Sequence, residues 1–248
     1  MSARFRELAW SSTPLGELVL RRRWDPAVET EVYEIKLDDE FLMSSLFTVA
    51  EEEIARRALA ELDRTHPETP LDVAVGGLGL GYTARQVLAA PRVRSLVVIE
   101  ALGEVIAWHR DRLVPAGAGL ADDARCRLLH GDFFAMLRSP AGLDPEEPGR
   151  RFHAVVVDID HSPRHLLDPS HGDFYRPDGL RALAGHLHPG GVFTLWSNDP
   201  PDEEFTTALR HCFDTARAEV VRFPNPLQRR EATATVYLAT VASGDPDR

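Results

Sequence analysis

Acidic residues recur at one kind of place in this chain of 248 residues: directly after short apolar runs. Glu100 closes LVVIE, Asp132 follows LLHG, and Asp158 closes AVVVD with Asp160 and His161 behind it. Ahead of all three lies LDVAVGGLGLGYTARQVL, an apolar run that ends in Gly76, Gly77, Gly79 and Gly81 and continues into a helical pattern. Such glycines admit positive φ and let a ligand lie against bare backbone. An acid about 20 residues beyond a glycine turn can accept both hydroxyls of a ribose, which fits Glu100. Asp132 could hold an adenine amine while the ring of Phe133 packs on the base. With Asp158, these acids would line one cleft for an adenosine-bearing ligand. The glycine spacing is not the dinucleotide fingerprint, and no Lys-Ser/Thr pair follows to make a phosphate-gripping loop.

The elements that must position these residues follow a regular alternation. Strands are expected at 73–75, 96–100, 127–130, 154–158 and 192–196, with helical patterns at 82–90, 103–113, 133–137 and 175–187 between them. Alternating β and α at this spacing gives a doubly wound parallel sheet, whose ligands sit beyond the carboxyl ends of the strands. After a helix around 203–213, two strand-like runs at 218–223 and 232–241 are separated only by PNPLQRRE. That link is too short for a parallel crossover, so the pair is an antiparallel hairpin. The fold class is therefore α/β: a Rossmann-like, doubly wound, seven-stranded sheet ending in an antiparallel hairpin. Residues 1–45 differ; 15–20 and 30–37 alternate apolar and polar residues around an Asp25-Pro26 turn, which predicts a small N-terminal β-hairpin module. The domain from 46 to 248 begins with a helix, for which Thr48 and Glu51 offer a T-x-x-E capping box.

Composition narrows the function. A net charge of −11 argues against a nucleic-acid partner, because no basic field would neutralise phosphates. No apolar run approaches the roughly 18 residues of a membrane span, and MSARFRELAW has no apolar signal core, so a cytoplasmic protein without membrane contact is expected. Cys126 and Cys212 lie far apart without metal spacing and read as reduced thiols. Lys36 is the sole lysine, which leaves little room for Schiff-base chemistry. His161, His165 and His171 share one loop with Asp160, Asp168 and Asp173, yet their spacing matches no known metal site. A substrate lid, with His161 or His165 carrying a proton, suits the loop better than a metal.

The ordered set GGLGLG, VVIE, GDFF, VVVDID and FY…LxPGG resembles the spermidine synthases, the polyamine aminopropyltransferases, over roughly residues 30–240. The resemblance implies a small-molecule substrate, an amine, and a homodimer. It also implies a nucleoside sulfonium cofactor, S-adenosylmethionine or its decarboxylated form. Gly76, Gly77, Gly79 and Gly81 would approach that cofactor, Glu100 would bind its ribose, and Asp132 with Phe133 its adenine. Asp158 takes the place of the family's catalytic aspartate, with His161 as the second catalytic candidate. Asp160, His165 and Tyr175 fall on the substrate side.

Three departures from the family pattern bear on the reaction. The glycine turn lacks the aspartate that grips an aminopropyl ammonium. The D-x-x-D clamp beyond the fourth central strand reads D-I-D-H, so His161 replaces its second acid. The Tyr-His-Glu segment reads DDEFLMSSLF, with no Tyr, His or acid at the matching places. A turn without its aspartate could admit the full methionine carboxylate, which leans the expectation to S-adenosylmethionine-dependent methyl transfer onto a small amine. Aminopropyl transfer from decarboxylated S-adenosylmethionine is the alternative, and a non-catalytic nucleoside-binding scaffold is another. A nicotinamide-dependent oxidoreductase is disfavoured by the C-terminal hairpin.

Overall fold

The computed structural model describes residues 5–225 and 230–244. The N-terminal part is a four-stranded antiparallel sheet in sequential order: β1 (Phe5–Thr13), β2 (Gly16–Asp25), β3 (Thr30–Leu37) and β4 (Glu40–Ser44). The sequence predicts only the central pair. The outer two escape the alternation rule: β1 leaves Phe5 and Trp10 exposed and carries a register shift after Glu7, and β4 is only five residues long.

The remainder is built from α1 (Val49–Thr65), β5 (Leu71–Gly76), α2 (Tyr82–Leu88), β6 (Val93–Glu100), α3 (Gly103–Arg110), α4 (Gly117–Ala121), β7 (Cys126–His130), α5 (Phe133–Arg138) and β8 (Phe152–Val157). A 3-10 turn (Pro169–Tyr175), α6 (Pro177–Gly185), β9 (Leu187–Ser197), α7 (Glu203–Cys212), β10 (Thr215–Asn225) and β11 (Arg230–Thr240) complete it. The seven strands lie in the order β10-β11-β9-β8-β5-β6-β7; β11 alone runs against the others and pairs antiparallel with both β9 and β10. The expected seven-stranded sheet and C-terminal hairpin are both present; part of the PNPLQRRE link lies outside the described residues. The helix expected at 175–187 begins later, because Pro177 fixes its first turn after the separate 3-10 segment.

Side-chain alternation divides the core. Val73 and Val75 join Ile54, Leu62, Val87 and Ile106 on one face, while Ala74 joins Phe134, Leu183 and Leu209 on the other. Both faces of β5 and β8 are buried, as central parallel strands require. Leu18, Leu20 and Ile35 of the N-terminal sheet complete the α1 face, so that sheet is fastened to the core. Among the described residues no helix is long and apolar enough to cross a membrane.

The expected capping box does not form. Thr48 makes no side-chain bond to the helix backbone, and its hydroxyl lies 3.4 Å from Glu52. Glu51 turns elsewhere, with consequences for the site.

At the amino end of the sheet, remote from the acids, His66, His153 and His188 stack with ring centroids 5.2 and 4.5 Å apart. His153 is buried, and its Nδ1 accepts the Asp72 N–H at 3.0 Å, a bond that an imidazolium could not accept. Burial, then the neighbouring histidines, lower its pKa to about 4. An unfolded chain binds that proton from near pH 6.5, so stability is lost as pH falls from there towards 4. Urea unfolding should therefore show roughly 2 kcal/mol less stability at pH 5 than at pH 7 from this group alone. In His153→Gln, whose amide oxygen accepts the same bond without titrating, that part of the slope should vanish.

Candidate active site

Register brings the acids level. Gly76 pairs with Ile99 on one side and Val157 on the other, so the glycine turn leaves the sheet between Glu100 and Asp158. Glu100 in turn pairs with His130, which sets Asp132 two residues beyond the same edge. Gly77 must stay bare: its φ is +92°, and a Cβ there would stand 2.1 Å from the Asp158 carbonyl oxygen. Gly79, at φ +47°, lies under Met43 of β4, whose Sδ a Cβ would meet at 2.6 Å.

Three side chains hold the turn. Glu100 is buried; one carboxylate oxygen accepts the Leu78 N–H at 2.9 Å and the other the Leu102 N–H at 2.8 Å. Burial raises its pKa, and the backbone donors act against that rise. The Gly79 and Ala101 N–H groups also act on this carboxylate, so any further donor shares its oxygens with the backbone. His109, fully buried, donates from Nε2 to the Gly79 carbonyl at 2.9 Å, because a carbonyl can only accept. Its Nδ1 has no partner among the described residues, so the ring is neutral, and burial lowers its pKa. Met43 Sδ receives the Leu80 N–H at 3.0 Å.

Asp132 is exposed and caps α5, accepting from Phe134 and Ala135 at 2.9 and 3.1 Å through Oδ1 alone. Phe133 is buried in the second core layer with its ring beneath Gly76, so it supports the turn from inside and shows little face to a base.

Asp158 accepts from the Thr83 hydroxyl at 2.7 Å, and the same hydroxyl lies 3.2 Å from the Glu51 carbonyl. Burial raises the Asp158 pKa to about 6. Glu51 interacts electrostatically with Asp158, and burial followed by that like charge raises it to about 8. A protonated Asp158 can donate to Thr83, which then passes its own hydrogen to the Glu51 carbonyl, so Thr83 serves either protonation state.

Glu51 opens onto a cleft of about 320 Å³ between β4, the start of α1, the end of β9 and the β10–β11 hairpin. His161 lines this cleft, and its Nε2 lies 3.0 Å from the exposed carboxylate of Glu40. The other substrate-side candidates are placed elsewhere. Asp160 is buried and accepts from the Leu167 N–H, His171 and the Tyr175 hydroxyl at 2.7, 2.8 and 2.8 Å. That clasp fixes the loop after β8 and consumes both oxygens. His165, largely exposed, pairs with Asp199 at 2.9 Å beside Ser162. Ser and Asp both meet its Nδ1, which is not the geometry of a nucleophilic triad.

Sequence reasoning misses Glu51, Thr83, Met43 and His109. Glu51 is hidden by its fit to a capping motif. The run AEEE at a helix start, with its first acid set between Ala50 and the apolar Ile54 stripe, is the only local signal for an inward carboxylate.

No protein-family model matches the chain. In sequence it is similar to polyamine aminopropyltransferase 2 of Pseudomonas aeruginosa, with 25% identity over 217 residues, 83% of this chain and 57% of that protein. The chain thus spans little more than half the length of that relative. In structure it is similar to a spermidine synthase in complex with the transition-state analogue AdoDATO, at TM-score 0.70 and 18% identity over 98% of this chain and 78% of the other. Human methyltransferase-like protein 13 in complex with SAH also shares the fold, at TM-score 0.59 and 18% identity over 80% and 84% of the two chains. The architecture is that of the spermidine synthases within the class I methyltransferase-like folds, and the sequence resemblance runs to the polyamine aminopropyltransferases.

The Glu51–Asp158 pair should titrate in two steps, near pH 6 and 8, visible in carboxyl infrared difference spectra. Asp158→Asn should leave a single step for Glu51, below 8. Because both folded pKa values lie above their unfolded values, the fold loses stability from this pair as pH rises through that range. Asp158→Asn should therefore unfold at higher urea than the wild type at pH 8, by about 1–2 kcal/mol.

Proposed function

We propose that this chain carries a transferase that moves an aminopropyl group from decarboxylated S-adenosylmethionine to an amine. The observation that carries this reading is the absence of a free donor at the glycine turn, set beside two buried carboxyls. Gly77 N–H bonds Ile99 O at 2.9 Å and Gly81 N–H bonds Leu78 O at 2.8 Å. Leu78 and Gly79 N–H serve Glu100, and Leu80 N–H meets Met43 Sδ. A methionine carboxylate would find no unused N–H there and would face Asp158 and Glu51. An ammonium without a carboxylate suits the same surroundings. The leaning towards methyl transfer, which rested on the missing turn aspartate, thus gives way to its alternative. The relative's name points the same way, while the shared fold favours neither transfer.

In this reading Glu100 receives the ribose hydroxyls, Asp132 the adenine amine, and the bare backbone of Gly77 and Gly79 lies along the nucleoside. The bound sulfonium supplies an electrophilic carbon and a thioether leaving group. Asp158 takes the proton that an incoming ammonium must lose before its nitrogen can attack. A carboxylate near 6 stands closer to an amine's pKa, about 10, than an ordinary carboxylate does, so the transfer is less uphill. The lone pair then forms the new C–N bond as the C–S bond breaks, and the walls of the cleft exclude water and align the pair.

The reading extends to a homodimer: Phe5 and Trp10, each more than half exposed on β1, leave an apolar face that a second copy would cover. A monomer mass in light scattering would overturn that part.

Calorimetry should show decarboxylated S-adenosylmethionine binding at least about tenfold more tightly than S-adenosylmethionine, since an unpaired buried carboxylate costs more than about 1.4 kcal/mol. Equal or reversed affinities would overturn the donor assignment. Asp158→Asn should lower kcat by about 10²–10⁴ with nucleoside binding retained. The wild-type rate should rise with pH up to about 8, as the carboxyl pair releases its protons.

A further inference from the structure

The cleft beside Glu51 has one carboxylate and a largely apolar lining. Phe41, Met43, Phe47, Trp196 and Phe223 are among its apolar residues, and Ser44, Asn198, Asn225 and Thr233 add uncharged polar groups. Phe47 and Phe223 close one side with ring centroids 6.4 Å apart. Among the described lining residues Glu51 is the only carboxylate, and it interacts electrostatically with Asp158. The other acids nearby are already engaged. Asp160 is locked by Leu167, His171 and Tyr175, and Glu40 is answered by His161 outside the lining.

An amine held in this cleft can place one ammonium against Glu51 and Asp158. A second ammonium a few methylenes away would meet aromatic faces and uncharged polar groups but no second carboxylate among the described lining residues, and it would give up water for that weaker company. A hydrocarbon tail in the same place gains burial against the apolar lining. Resting on the transfer reading, we propose that the acceptor is a primary monoamine with an apolar alkyl or arylalkyl tail, and that the cleft discriminates against diamines.

The test uses the full chain with saturating decarboxylated S-adenosylmethionine, and follows release of methylthioadenosine. Hexylamine and phenethylamine are compared with putrescine and cadaverine. The expected result is a kcat/KM for hexylamine at least about tenfold above that for putrescine. Ala232→Asp places a carboxylate in the hairpin wall and should narrow that ratio by about tenfold. Putrescine or cadaverine equal to or better than hexylamine would overturn the inference and leave the transfer reading standing. An unchanged ratio in Ala232→Asp would remove the tail from this cleft. Thioether product that binds, with no release from any of the amines, would sink the transfer reading and the acceptor assignment together.

Discussion

One buried carboxylate holds the carboxyl edge of this sheet together at the glycine turn. Glu100 closes β6, and its two oxygens tie the glycine turn to the start of α3 through Leu78 and Leu102. Without it, the turn would expose N–H groups with no partner in a site that has little water to offer. With it, the turn is held by the carboxylate's bonds to its backbone N–H groups before any ligand arrives. Rigidity is reinforced from the other side by His109, whose Nε2–H holds the Gly79 carbonyl, while burial lowers its pKa and favours the neutral ring. A preformed turn lowers the ordering that a ligand must induce.

That locked turn decides what charge the neighbouring space can accept. Its amides face inward, so the site beyond them is governed by Asp158, Glu51 and the sulfur of Met43 rather than by backbone donors. Thr83 bonds the Asp158 carboxylate and the Glu51 backbone carbonyl, the carboxyls of the two residues resist losing both protons, and in the proposed reaction that resistance gives one of them a use as a proton acceptor near neutrality. The same arrangement repels a carboxylate on the incoming donor. In the proposed transferase, selection of the donor and activation of the acceptor thus come from one electrostatic feature.

The sheet and the acids at its edge are legible in the sequence because parallel strands write themselves as uninterrupted apolar runs, and the residue after each run must emerge at the carboxyl edge. Glu100, Asp132 and Asp158 are found by that rule alone. Long-range consequences are not written this way. Asp160 has the same local signature as Asp158, yet the loop folds His171 and Tyr175 back onto it and takes it out of the cleft. Glu51 matches a capping pattern, and only the packing of α1 against α2 brings it beside Thr83 and Asp158. Met43 sits over Gly79 because the N-terminal sheet docks on the core, a contact that no spacing within either segment encodes.

The two ends of the sheet respond to pH in opposite senses, and this bears on where the site can work. At the amino end, the stacked histidines favour the fold only while neutral, which sets a lower limit above the altered pKa of His153. At the carboxyl end, the acid pair costs stability from about pH 4, where the unfolded carboxyls ionise, up to about pH 8. The two effects oppose one another up to about pH 6.5, and above that only the loss from the acid pair remains, while the proposed chemistry needs the pair to begin releasing its protons. In the proposed transferase the site would therefore work where stability is already falling, with Asp158 free to take a proton and Glu51 still able to keep one. A pair more exposed to water would remove the strain, and with it the raised pKa that makes Asp158 a useful base.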